Sequence, residues 1–159
     1  MTPEAYWTHR KQDVIGMDVL FEGIRARQAA TYQAIAQWIT SHSIVDVLDV
    51  GCNVAGLKLF LDDEGYAGRY FGIDSNPFAL AIAKLHAFVF EGTLRKLGFQ
   101  DQWVDTVVVK DVIEHLESYH PLSEAFRVAA QYVIVATYQP FHDEPAVIVR
   151  HEDGYYTNT

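Results

Sequence analysis

The chain has 159 residues, half of them hydrophobic, which suits one globular domain with a sizeable core. Its formal net charge of −9 disfavours broad binding to nucleic acid, because an acidic surface repels phosphate backbones. The sequence has a single cysteine, Cys52, and it shows neither a basic and apolar leader nor an apolar run of membrane length. These features predict a cytoplasmic protein without a membrane partner.

The first helix is predicted over residues 24–39. Its apolar side chains recur at the spacing that places them on one helical face: Tyr32, Ile35, Ala36 and Ile39. A run rich in valine and isoleucine over residues 44–50 then predicts a buried parallel strand that ends at Gly51.

Further strands and helices are predicted to alternate along the rest of the chain. The strands are residues 70–73, 88–90, 104–109 and 132–137, and the helices lie near residues 57–61, after Ser75-Asn76-Pro77, and over 121–130. Residues 146–149 suit either another strand or an extended loop. This alternation predicts an α/β fold, a doubly wound, mainly parallel sheet of about five strands flanked by helices, as a single domain over residues 1–159.

Ligands of such a sheet bind beyond the carboxyl ends of its strands. After the first strand, residues 49–56 read D-V-G-C-N-V-A-G, and glycine there lets a ligand approach the backbone closely. Asp74, after the second strand, can accept hydrogen bonds from both hydroxyls of a ribose. With one replacement, Gly51, Asn53 and Gly56 also fit the dinucleotide fingerprint G-x-G-x-x-G. The loop alone is therefore also compatible with two other interpretations: a nicotinamide-dependent oxidoreductase, and a turn that binds no ligand.

Two stretches resemble class I S-adenosylmethionine-dependent methyltransferases. Residues 47–56 resemble their motif I, D-V-G-C-G-x-G, with Asn53 and Ala55 in place of the second and third glycines, and asparagine tolerates the left-handed region. Residues 105–116, D-T-V-V-V-K-D-V-I-E-H-L, resemble motif IV of the small-molecule and ubiquinone-pathway O-methyltransferases, D-x-V-x-x-x-x-V-x-E-H-L. The second motif is not expected in nicotinamide-dependent enzymes, so it favours the methyltransferases. The resemblance covers residues 44–140 as the core, and residues 1–23 would cover the cleft.

The resemblance implies S-adenosylmethionine as the cofactor and a set of residues around it. Asp74 would bind the ribose, Thr93 would stand near the adenine, and the backbone around Lys110 and Asp111 would contact the methionine part. The full implied cofactor set is Asp49, Gly51, Cys52, Asn53, Asp74, Ser75, Thr93, Lys110 and Asp111. In this interpretation the Cys52 thiol is structural, and His42, His86 and His120 are surface residues.

Methyl transfer is an in-line displacement, so the enzyme aligns donor and acceptor and supplies a general base where one is needed. Asp111, Glu114 and His115 are the candidate catalytic residues. Their spacing, D-x-x-E-H, is similar to E-x-x-E-H in metal-dependent relatives, including RNA 2′-O-methyltransferases, where His151 or His142 would complete a divalent metal site. We do not favour the metal, because the Glu-His pair also occurs in relatives that bind none.

The usual sheet of this family has seven strands, and the last two form an antiparallel hairpin. Few residues follow the predicted fifth strand, so we expect that hairpin to be missing. The chain is then either a truncated piece or a domain that has lost this edge of the sheet. An exposed fifth strand favours a homodimer. The acceptor is expected to be a small molecule. The alternative is a catalytically inactive S-adenosylmethionine-binding module that acts through a partner.

Overall fold

Helices and strands alternate along the chain in a computed structural model that describes residues 17–116, 118–137, 148–150 and 156–158. The helices are α1 (Met17–Ser41), α2 (Gly56–Asp63), α3 (Pro77–Ala83) and α4 (Leu122–Val128), with a 3-10 turn at Ile113–His115. The strands are β1 (Asp46–Val50), β2 (Arg69–Asp74), β3 (Phe88–Glu91), β4 (Val104–Lys110), β5 (Ala129–Ala136), β6 (Ile148–Arg150) and β7 (Tyr156–Asn158). Every predicted helix and strand within the described residues is present.

Strands β1 to β5 form one parallel sheet in the order β3-β2-β1-β4-β5. The strand order reverses beside β1, which is the switch point at which such sheets bind ligands. Val50 lies opposite Ile73 of β2 and Val109 of β4. The residues that follow these three strands therefore meet at one edge of the sheet. The predicted α/β class is confirmed, and among the described strands the fifth lies at an edge of the sheet, as predicted.

The core has two layers, one on each face of the sheet. On one face, α1 and α2 cover Val47 and Val108, and the buried face of α1 contains Ile35, Ala36 and Ile39 as predicted. On the other face, α4 covers the intervening strand residues. Because side chains alternate across a strand, Asp49 and Lys110 share the face of Val47 and Val108, beneath α1.

The end of the chain differs from the expected arrangement in one respect. No described residue adds an antiparallel hairpin to the five-stranded sheet, but β6 and β7 pair antiparallel with each other as a separate two-stranded sheet. Strand β7 lies beside the 3-10 turn Ile113–His115. None of the described helices is both long enough and apolar enough to cross a membrane.

Candidate functional site

The loop between β1 and α2 has three left-handed residues at alternate positions. Gly51, Asn53 and Ala55 have φ angles of 75°, 52° and 60°. A Cβ atom at position 51 would lie 2.4 Å from Cγ2 of Val112, so this position requires glycine for space as well as for conformation. Asparagine and alanine thus adopt the left-handed conformation where the family motif has glycine.

Contacts with neighbouring elements fix this loop in place. The backbone N–H groups of Gly51 and Cys52 donate to the carbonyl oxygen of Ile73 at 2.8 and 3.1 Å. From the other side, Nε2 of His86 donates to the carbonyl oxygen of Val54 at 2.9 Å, and Phe21 of α1 meets the His86 ring edge-on.

The interpretation of His86 as a surface residue is therefore wrong. This side chain is half-buried and hydrogen-bonded to the glycine loop, whereas His42 and His120 are exposed as expected. Its contact depends on the loop coming back to the end of α3, which sequence spacing does not reveal.

Asp74 is held rigidly at the end of β2. Its two carboxylate oxygens accept hydrogen bonds from the backbone N–H groups of Asn53 at 2.7 Å and Asn76 at 2.8 Å. Burial raises the pKa of Asp74, and the backbone N–H groups of Asn76, Asn53 and Ser75 oppose that rise. A carboxylate offers about four acceptor directions. Three are occupied here, which leaves capacity for a ligand hydroxyl and fits a ribose-binding role.

Thr93 and Cys52 flank Asp74 in different ways. The N–H group of Gly92 donates to the backbone oxygen of Asp74 at 2.9 Å, which brings the half-buried Thr93 to the same edge of the sheet. The Cys52 thiol is buried and packs toward β2, where a Cβ atom at Gly72 would lie 2.7 Å from its sulfur. Burial raises the pKa of this thiol. Its side chain thus packs in the core while its backbone belongs to the loop.

Asp49 belongs to a polar layer beneath α1. Its carboxylate is 3% exposed and accepts a hydrogen bond from the Tyr70 hydroxyl at 2.7 Å. Burial raises the pKa of Asp49 to about 7. Tyr70 and Lys110 oppose the shift, and Asp74 adds to it. The partner Tyr70 is a residue that the sequence interpretation missed.

Lys110 lies in the same layer and is 8% exposed. Its ammonium pairs with the Asp111 carboxylate and lies 4.5 Å from the centroid of the Tyr32 ring. Gln28 of α1 offers its side-chain oxygen at 3.5 Å. The helical spacing predicted that Tyr32 lies on the buried face of α1, but it did not predict the contact between its ring and the charged Lys110.

Asp111 has a left-handed backbone, with φ of 53°, and its N–H group donates to the carbonyl oxygen of Ala136 at 2.9 Å. A non-glycine residue in this region costs free energy, and such residues concentrate at functional sites. Two residues further on, the 3-10 turn contains Glu114, which is buried, and His115, which is half-buried.

The structure does not bring Asp111, Glu114 and His115 together as metal ligands. Among the described side chains, no three His, Cys, Asp or Glu residues form a group able to hold a metal ion. His142 and His151 lie outside the described residues.

Solved structures share this fold. A protein from Pyrococcus horikoshii matches with 24% identity and a TM-score of 0.53, over 64% of this chain and 52% of that one. A candidate O-methyltransferase from Nostoc punctiforme matches with 18% identity and a TM-score of 0.61, over 72% and 38%. A SAM-dependent methyltransferase from Thermotoga maritima matches with 19% identity and a TM-score of 0.56, over 75% and 57%. The matched region thus spans less than two thirds of each of these longer proteins.

The sequence itself gives the family. No curated protein matches it significantly. A family profile described as "Methyltransferase domain" matches residues 48–135, which is more than half of the chain and includes the glycine loop, Asp74 and β4. The resemblance found in the two motifs is thereby confirmed, and the chain belongs to the methyltransferase domain family.

Proposed function

We propose that the chain binds S-adenosylmethionine and transfers its methyl group to a small-molecule acceptor. Family membership implies this cofactor. One observation carries the proposal: the loop with three left-handed residues, the fixed Asp74 carboxylate and the end of β4 lie together at the switch point of the sheet. The net charge of −9 favours a small acceptor over a nucleic acid.

In this proposal each end of the cofactor has its own residues. Asp74 accepts a ribose hydroxyl, Ser75 and Thr93 border the nucleoside, and the backbone of the glycine loop supports the chain between nucleoside and sulfur. Asp49, Lys110 and Asp111 provide the charged surroundings of the methionine part. When bound, S-adenosylmethionine supplies an activated methyl group on a sulfonium, and the protein aligns the acceptor with it.

The first prediction is that the chain binds S-adenosylmethionine and not NAD. Asp74→Ala removes a charge-assisted hydrogen bond to the ribose and should weaken binding about 10- to 150-fold. Titration calorimetry of both ligands measures this, with Asp101→Ala as the matched control because that carboxylate is exposed and pairs with Arg127. Binding of NAD without binding of S-adenosylmethionine would contradict the proposal.

We further propose that Asp111, Glu114 and His115 line the acceptor side. The support is positional, since these residues follow β4 at the carboxyl edge. The second prediction is that Glu114→Gln and His115→Ala lower turnover about 10²- to 10⁴-fold while the dissociation constant of S-adenosylmethionine changes little.

Turnover is measured as formation of S-adenosylhomocysteine with a panel of phenols, carboxylic acids and amines. His42→Ala is the control, because His42 is exposed and stacks on Trp38. Wild-type rates in both site variants would contradict the assignment. A chelator in the same assay tests a metal separately, since rates that are lost with chelator and restored by a divalent ion require one.

A further inference from the structure

The two halves of the loop between β1 and α2 are held by different parts of the chain. Up to Asn53, backbone N–H groups of the loop donate to Ile73 and Asp74 of β2. Beyond it, the carbonyl oxygen of Val54 accepts from Nε2 of His86 at 2.9 Å. Val54 is 2% exposed, so water has little access to replace this donor. A buried carbonyl oxygen that loses its donor costs free energy, and the second half of the loop therefore depends on the imidazole.

This hydrogen bond acts where the loop is most strained. Val54 lies between Asn53 and Ala55, which both have left-handed backbones. Asparagine tolerates that region, whereas alanine, with φ of 60° and ψ of 46°, has no polar side chain to compensate for it. Such a conformation persists only where the surrounding structure enforces it. The Val54 carbonyl belongs to the peptide group that joins Val54 to Ala55, so His86 holds the strained residue directly.

The imidazole of His86 is itself fixed in place. His86 directly follows the end of α3, and its backbone N–H group donates to the carbonyl oxygen of Ala83 at 3.1 Å. The ring is half-buried, and Phe21 of α1 meets it edge-on with the centroids 5.2 Å apart. Two helices thus hold the ring with Nε2 toward the loop, and the donor is already oriented before any ligand binds.

We propose that His86 is a positioning residue that keeps the loop in the left-handed conformation that receives S-adenosylmethionine. This inference rests on the proposed function and adds to it a residue outside both sequence motifs. The imidazole acts through the Val54 carbonyl and offsets the strain at Ala55. When a smaller fraction of the protein has the competent loop conformation, the apparent affinity for the ligand falls by the same factor.

The test compares three replacements of the imidazole. His86→Leu removes the donor and should weaken S-adenosylmethionine binding at least about fivefold, in titration calorimetry at a temperature where every variant is fully folded. His86→Gln has an amide nitrogen as many bonds from the backbone as Nε2 and should restore most of the affinity. His86→Asn is one bond shorter and should resemble His86→Leu.

Two further variants separate loop positioning from general stability. Ala55→Gly relieves the left-handed strain, so adding it to His86→Leu should recover part of the lost affinity. Tyr66→Phe is the matched control, because it removes a hydrogen bond from a side chain to the carbonyl oxygen of Val45, 2.7 Å long, at the opposite end of β1. This control should lower the free energy of unfolding in chemical denaturation and leave the dissociation constant unchanged.

Each other outcome overturns the inference. An unchanged dissociation constant in His86→Leu means that the hydrogen bond serves only the stability of the fold. A loss that His86→Gln shares means that the ring acts by packing against Phe21, and a loss that Ala55→Gly does not reduce means that strain is not what it offsets. If His86→Leu does not fold, equal affinities of His86→Gln and His86→Asn overturn the inference. A wild-type protein that does not bind S-adenosylmethionine overturns the proposed function itself.

Discussion

Asp49 illustrates how one residue can belong to a ligand motif and to the core. Motif I assigned it to the cofactor, but its side chain turns beneath α1 and accepts the Tyr70 hydroxyl. Burial disfavours the charged form of a carboxylate and raises its pKa. The pKa of Asp49 also depends on its charged neighbours, because Lys110 lowers it and Asp74 raises it.

The pH dependence of stability follows from that shift. The pKa of Asp49 rises from an ordinary 3.8 to about 7 in the folded chain, mainly through burial. The folded state therefore holds the proton more tightly than the unfolded state. Its contribution to stability is complete below about pH 4 and is lost as pH rises through about 7, by up to about 1.4 kcal/mol per pH unit within that window.

We accordingly predict that Asp49→Asn flattens this dependence. Asparagine keeps an oxygen for the Tyr70 hydroxyl but does not titrate. Chemical denaturation between pH 5 and pH 8 should show the wild-type free energy of unfolding falling relative to that of the variant. Parallel curves for the two proteins would mean that Asp49 ionises in the folded chain as it does in the unfolded one.

At the scale of elements, the sequence predicted the sheet well because both faces of β1 and β4 are buried. Such strands are rich in apolar residues, and their bounds in the structure, Asp46–Val50 and Val104–Lys110, lie within two residues of the predicted ones. The motif also predicted the loop, since the left-handed φ at Asn53 and Ala55 matches the positions of the missing glycines. Local conformation and the positions of the strands along the chain thus follow from local sequence.

Contacts between distant elements could not be predicted in the same way. Tyr32 was correctly placed on the buried face of α1, yet its contact with Lys110 depends on how the helix crosses the sheet. The His86 contact with the glycine loop and the Tyr70 contact with Asp49 also join residues that are 32 and 21 positions apart in the sequence. Periodicity states which face is buried but does not identify the partner.

At the scale of the whole molecule, the two sheet edges differ. Strand β3 has four residues, whereas β5 has eight and pairs only with β4 among the described residues. The first part of β5 is the more open part, because Gln131 is exposed and Tyr132 is 41% exposed beside Trp38. A long open edge offers unpaired backbone groups to another chain.

We also predict that two chains associate through β5. Light scattering should give the mass of two chains for the wild-type protein. Tyr132→Lys should shift it toward the mass of one chain, because a charge at an open edge opposes strand pairing. Tyr119→Lys is the matched control, since Tyr119 is 49% exposed and lies outside the sheet. A wild-type mass of one chain, or a dimer that Tyr132→Lys leaves intact, would place the association elsewhere or exclude it. Another segment or partner would then have to cover this edge, because the open side of an eight-residue strand is a site for aggregation.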